Sequence, residues 1–324
     1  MEIDSFKYIR QKPNFQINPL HTDREFRQYI IQKSNSLWQQ LKGLLGFLVL
    51  LNEMPHSKSS PIFTEQHLIQ SVYLKREVIV DCYMPRSVED PMKISLLLVN
   101  DGQDLVTMNF KSILESLEKN NELEPLLVVA MHCSDDRKNE YGTARILDYK
   151  GRGAQSGMHT QFVLEELMPF IQYTYRIPVF KERAIAGFSL GGLNAMDIAW
   201  NHPVLFNKVG VFSGSFWWRD KAQEDPDFDE TIHRIMHRQV READYYPWLR
   251  FFFEVGTQDE TADRNNNGII DAIDDTLALM EELKNKGYSN DAMFYLELQD
   301  GRHDVPTWAR AFPDFLKWGW GIKA

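Results

Sequence analysis

Residues Arg183–Gly192 read RAIAGFSLGG, and this stretch decides the fold. Arg183–Phe188 is a mostly apolar run of the length of a buried strand. From Leu190 to Asn201 (LGGLNAMDIAWN) the apolar positions recur at helical spacing. A strand that passes directly into a helix must turn sharply. Glycine two residues before and two after Ser189, at 187 and 191, removes the side chains that would collide in such a turn, and Gly192 lets the helix approach the sheet. G-x-S-x-G alone is a weak pattern. Between a strand and a helix it specifies a turn that projects its serine outward.

The alternation continues on both sides. Upstream, Ser71–Met84 reads as two strands flanking a turn at Lys75–Arg76. Ile94–Asn100 (ISLLLVN) and Leu126–Cys133 (LLVVAMHC) read as strands buried on both faces, with helices near 107–120 and 160–175. Downstream come strand Lys208–Ser213, a polar helical stretch at 229–241, strand Phe251–Val255, helix Asp275–Lys286, strand Met293–Leu298 and helix Pro306–Trp318. This order predicts an α/β protein whose mostly parallel central sheet carries helices on both faces. The first residues differ. Thr22 and Glu25 form a capping-box pair, and Phe26, Tyr29, Ile30, Leu37, Leu41, Leu44, Leu45 and Leu48 follow at helical spacing. Residues 1–65 are therefore read as an N-terminal helical extension with a linker, and 66–324 as the main domain.

Of 324 residues, 43% are hydrophobic and 25% charged, which is ordinary for a globular domain. The 36 basic and 46 acidic residues leave a net charge of −10, which disfavours nucleic acid and anionic membranes as partners. Leu44–Leu51 is too short to span a bilayer, and the N-terminus shows no basic start with an apolar run behind it. A cytoplasmic protein is expected. Cys82 and Cys133 lie in apolar strand runs and read as small buried hydrophobes, not as a disulfide.

A serine hydroxyl is a poor nucleophile until a base takes its proton. Beyond the elbow helix, His233 and His237 lie in the polar helical stretch and read as solvated, whereas His303 (DGRHDVPTW) lies in the loop after the last strand. In this strand–turn–serine arrangement the acid falls between serine and histidine. Asp259, just past strand Phe251–Val255, is the candidate, with Glu260 as the alternative. Two backbone N–H groups are needed for an oxyanion hole: Leu190, directly after the serine, and Gln103, in the NDGQD loop. Asp101 either orients substrate or the loop, or is a plain turn aspartate. Phe216, Trp217 and Trp218 follow a strand end, where they form a substrate platform or pack beneath a loop. His132, Arg145 and Tyr149 lie at or beyond the end of another strand, and the long segment between Cys133 and Thr160 reads as a cover.

EVIVDCYMP and LLLVNDGQD, then AGFSLGGLNAMDIAWNHPVLFNKVGVFSGSFWW, then GRHDVPTWARAFPDFLKW together resemble the Putative esterase family of the α/β-hydrolase fold. That family includes esterase D-type S-formylglutathione hydrolases, enterochelin-type siderophore esterases, feruloyl and acetyl-xylan esterases, and antigen 85 mycolyltransferases. The resemblance runs from about Ser71 to the C-terminus. It implies a triad of Ser189, Asp259 and His303, backbone donors at Leu190 and Gln103, a small-molecule ester as partner, and no cofactor for catalysis. It leaves open an acyltransferase using the same acyl-enzyme, or a non-catalytic binding protein of the same fold. It does not indicate an oligomeric state.

Directly after the candidate acid, DRNNNGIIDAID matches a twelve-residue calcium loop. Asp263, Asn265, Asn267, Ile269 (through its carbonyl), Asp271 and Asp274 fall at the ligand positions, and Gly268 at the required turn. The closing ligand is Asp where Glu is usual, which resembles the dockerin form of the loop. Oxygen donors of this kind suit a structural Ca²⁺ ion.

Overall fold

In the computed structural model, which describes residues 60–88 and 90–322, the apolar runs become eight strands. They are β1 (Ile62–Gln70), β2 (Glu77–Pro85), β3 (Ser95–Asn100), β4 (Leu126–Met131), β5 (Arg183–Phe188), β6 (Lys208–Phe212), β7 (Arg250–Gln258) and β8 (Met293–Arg302). The longer helices are α1 (Phe110–Lys119), α2 (Met168–Tyr175), α3 (Leu190–Asn201), α4 (Ile235–Glu242), α5 (Asp271–Lys286) and α6 (Val305–Trp320). The helical segment expected before residue 60 lies outside the described residues.

All eight strands form one sheet in the order β1-β2-β4-β3-β5-β6-β7-β8. The β1–β2 and β2–β4 pairs are antiparallel and every other pair is parallel. β3 and β4 are buried at every position, as expected of continuous apolar runs covered on both faces. The strand period of two divides their side chains between two cores. Leu96, Leu98, Ile185, Val209 and Phe251 face a core closed by residues from α2, α3, α4 and α5. Leu97, Val99, Ala186, Phe212 and Phe252 face a core closed by α1 and α6. Phe212 and Phe312 stack there with centroids 5.1 Å apart, which seats α6 against the middle of the sheet.

Several boundaries differ from expectation. The first strand pair is β1 with β2, so strand residues begin at Ile62, and Ser71–Arg76 is the connecting turn. The helix expected over 160–175 starts at Ser156 and passes through a π-helical turn, Phe162–Leu167, before α2. The polar stretch at 229–241 breaks at Arg234, whose extended ψ of 108° separates a short turn from α4. On α4, His237 is fully buried against Asp275, not solvated; Nε2 lies 3.0 Å from the Asp275 carbonyl oxygen. Cys133 is half-buried, one step past the end of β4.

Because β3 and β5 to β8 run in one direction, their C-terminal ends share one edge. In an open parallel sheet that edge is where loops gather a site. The Asp101–Asp104 loop, Ser189, the Ser213–Trp218 segment, Asp259 and His303 all leave the sheet there. Among the described residues no helix is long and apolar enough to cross a membrane.

Candidate active site

Ser189 joins β5 to α3 with φ 53° and ψ −120°, a conformation that costs a non-glycine residue about 1–3 kcal/mol. Its surroundings hold it there. Ser189 N–H donates to Phe212 O at 2.8 Å, and Gly192 and Leu193 N–H both donate to Ser189 O at 3.1 Å. A Cβ on Gly187 would collide with the Gly191 carbonyl, and one on Gly191 with the Asp101 carboxylate, so both glycines are required by space. Gln103 N–H and Leu190 N–H make no turn or cap hydrogen bond among the described residues.

Asp101 is fully buried and itself sits at φ 60°. Its two carboxylate oxygens accept from Arg137 Nε and Nη2, each at 2.7 Å, in a bidentate pair. Arg137 Nη2 also donates to Phe188 O at 3.1 Å, one residue before the serine, and Asp101 N–H donates to Tyr141 Oη at 3.1 Å. Asp101 is thus turned inward, and it orients the loop and the elbow without facing an open substrate site. Arg137 gave no signal in the sequence, because the pair joins loops 36 residues apart.

Asp259 and His303 meet across the ends of β7 and β8. His303 Nδ1 lies 3.3 Å from Asp259 Oδ2, and the Asp259 side chain is inaccessible to solvent. The two strand ends approach closely because both carry glycine: a Cβ on Gly301 would lie 2.9 Å from Gly256 Cα. His303 is framed by a reciprocal cap, in which Arg302 N–H donates to Thr307 Oγ1 at 2.8 Å and Thr307 N–H to Asp304 Oδ1 at 3.0 Å. Trp308 packs edge-on to the imidazole at 5.4 Å and stacks on Phe188 at 4.9 Å, so one indole touches both the histidine and the strand that carries the serine. Ser189 Oγ has Ser215 Oγ as its hydrogen-bond neighbour, at 3.4 Å, and no hydrogen bond to His303 is formed. In unliganded sites such contacts are often long.

A second layer was not legible in the sequence. Ser213 Oγ donates to Asp259 Oδ1 at 3.1 Å, and Trp308 Nε1 donates to Ser213 Oγ at 2.9 Å. Glu254 is buried on β7, and neither carboxyl oxygen has a partner among the described residues. Burial first, and the nearby Asp259 charge second, push its carboxyl up to about 8.

The sequence profile of the Putative esterase family matches residues 71–318, which is most of the chain. The chain belongs to this family. The uncharacterized protein YbbA of Bacillus subtilis (strain 168) is 25% identical over 249 residues, covering 74% of this chain and 91% of that protein. Among solved structures, enterochelin esterase from Shigella flexneri is similar with TM-score 0.62 and 19% identity, over 82% of this chain and 59% of that one. A ferulic acid esterase is similar with TM-score 0.59 and 18% identity, over 80% of this chain and 98% of that one. These likenesses show the α/β-hydrolase fold, and the chain spans less than two thirds of the Shigella protein.

In this chain the expected aromatic platform is divided. Trp218 is fully buried and Phe216 with it, so both pack beneath the loop. Only Trp217 is half-exposed, with the Arg152 guanidinium 5.1 Å from its ring. His132 is held by Asp81 at 2.7 Å.

The 263–274 loop has much of the expected form. Asp263 Oδ1 accepts from Asn267 N–H and Oδ2 from Gly268 N–H; Asn265 and Asn267 donate through Nδ2 to Asp274 Oδ2, each at 2.8 Å. Asn266 and Gly268 take φ 56° and 86°. Asp271 departs from the pattern, since its Oδ1 accepts from Arg264 N–H at 2.9 Å and pairs with the Arg264 guanidinium at 3.2 Å. Among the described residues no group of three or more His, Cys, Asp or Glu side chains is gathered as a metal site. The donors that do converge are two carboxylates, Asp263 and Asp274, and the amides of Asn265 and Asn267, a hard set that fits Ca²⁺ better than a transition metal.

Proposed function

We propose that this chain hydrolyses small carboxylic esters through an acyl-enzyme on Ser189. The observation that carries the reading is the strained, outward-turned Ser189 on the same sheet edge as the Asp259–His303 pair. His303, through Nε2, takes the Ser189 proton as Oγ attacks the ester carbonyl. The oxyanion develops toward the N–H groups of Leu190 and Gln103. His303 then gives the proton to the leaving alcohol, and water repeats the sequence to release the acid. Asp259 keeps the Nδ1 proton on His303 and stabilises the imidazolium; the solvent-inaccessible carboxylate makes that interaction strong.

The names of the structural relatives make siderophore and ferulate esters the first natural substrates to try. The deciding experiment is turnover of a p-nitrophenyl ester panel, acetyl to octanoyl plus feruloyl, with fluorophosphonate labelling. Ser189→Ala is expected to lose the label and about 10³-fold or more of kcat. Unchanged turnover in that variant sinks the reading. Labelling without hydrolysis, restored by an added alcohol, identifies an acyltransferase, and a folded protein that neither labels nor turns over is a binding protein.

For the 263–274 loop we infer a structural Ca²⁺ site held by Asp263, Asn265, Asn267, the Ile269 carbonyl and Asp274, with Asp271 reaching it only if it leaves Arg264. The ion would hold the loop that begins four residues past Asp259. Thermal unfolding with and without EDTA tests it, and an unchanged Tm removes the idea.

A further inference from the structure

Behind the Asp259–His303 pair lies a chain of hydrogen bonds whose direction is fixed by chemistry. The Trp308 indole N–H can only donate, so Ser213 Oγ must accept from it. The single Ser213 hydroxyl hydrogen is then committed to Asp259 Oδ1, since an ionised carboxylate only accepts. Asp259 Oδ2 faces His303 Nδ1. Each carboxylate oxygen therefore has its own donor, and the group cannot rotate without losing both. Ser213 is itself over-determined. It sits at φ 48°, is buried at the end of β6, and anchors its N–H on Glu254 O at 2.8 Å.

We propose that Ser213, locked by Trp308, is a positioning residue of the reaction that fixes both the orientation of Asp259 and the place of its negative charge; this rests on the acyl-enzyme reading above. Charge placement is at issue because two carboxyl groups lie close together. Around Asp259 stand Ser213 from β6, Glu254 from β7, Glu260 beside it in the loop, His303 beyond β8, and Trp308 from α6. Arg310 of α6 acts on Glu254. The donors of this set go to Asp259, and both Glu254 oxygens have none among the described residues. The proton stays on Glu254 and the charge on Asp259, where the imidazolium needs it.

The test is the rate of fluorophosphonate labelling at Ser189 as a function of pH, which needs no knowledge of the natural ester. Ser213→Ala is expected to slow the plateau rate on the order of tenfold. Its acid limb should move to lower pH, because an Asp259 with one donor fewer keeps its charge less well against Glu254 and so stabilises the imidazolium less. Ser213→Gly accepts the backbone φ but lacks the hydroxyl, and should fall as far as Ser213→Ala. Trp308→Phe frees the hydroxyl to rotate and should shift the limb in the same direction by less. A glycine variant at the wild-type rate, or a slow alanine variant with an unmoved acid limb, would assign Ser213 a packing role only and overturn the proposal. Ser189→Ala separates the two readings. Labelling that survives in it defeats the acyl-enzyme, whereas its silence beside Ser213 variants labelled within about twofold of wild type defeats Ser213 alone.

Discussion

Glu254 shows most plainly how one residue can carry a constraint on the whole site. It is an acid on a central strand, 1% exposed, with a carboxyl pushed up to about 8 from its ordinary 4.5 by burial and then by Asp259. The sign of its contribution to stability follows from linkage. Between about 4.5 and about 8 the folded state holds a proton that the unfolded chain has released, so stability falls as pH rises through that window. Glu254→Gln removes the titration and keeps the shape. Urea unfolding of wild type at several pH values is expected to show a midpoint that drops from about pH 5 to about pH 8 more than that of Glu254→Gln. Parallel curves for the two proteins would mean that Glu254 is ionised or hydrated in the folded state. The sequence shows this residue as one glutamate in FFFEVG, with nothing to separate it from a solvated one. Asp259 and Glu260 were similarly adjacent candidates, and only the Ser213 and His303 contacts single out Asp259.

At the scale of elements, the elbow and α5 differ in how much was legible. The elbow was readable because part of its requirement is local: Gly187 clears space for Gly191 and Gly192, whereas Gly191 clears it for Asp101 of a distant loop. The start of α5 was not. The spacing suggested Asp275, but the helix begins at Asp271, with Asp271 and Asp274 in its first turn, where the helix dipole favours negative charge. Arg264 explains the difference. It pairs with Asp271 and Glu230 and, together with Arg234, with the buried Asp275, so a residue of the loop ties down the helix start. If Ca²⁺ occupies the loop, millimolar Ca²⁺ is expected to raise Tm on the order of 5 °C over EDTA, and Asp274→Ala to abolish that increment while leaving Ser189 labelling of the folded protein intact. An increment that persists in Asp274→Ala would place the ion elsewhere.

At the scale of the whole molecule, two histidines among the described residues, His159 and His237, are buried. Burial lowers His159 to about 4 and drives His237 well below its ordinary value. His159 Nε2 lies 3.2 Å from Asn100 Oδ1, and the Nδ1 of each is without a partner among the described residues. A histidine depressed in the folded state stabilises fully above its ordinary 6.5, and that contribution is lost as pH falls from there through about 4, because the unfolded chain takes up protons first. Relative to His159→Gln, the wild-type urea midpoint is therefore expected to fall as pH falls over that range; equal slopes would show that His159 does not titrate as a buried group. Nothing in MHTQF or RIMHRQ marks these histidines as buried, and His237 was read as solvated because its neighbours in sequence are polar. What the sequence by itself determined is whatever depends on contacts close along the chain: the α/β alternation, the elbow, the strand-end loops that carry Ser189, Asp259 and His303, and the family. What only the tertiary structure decided depends on the assembled neighbourhood: Arg137 on Asp101 and Trp308 on Ser213, far apart in the chain, and the burial of Glu254 with no partner among the described residues. Burial and hydrogen-bond direction are properties of the assembled neighbourhood, and periodicity along a single segment carries no record of them.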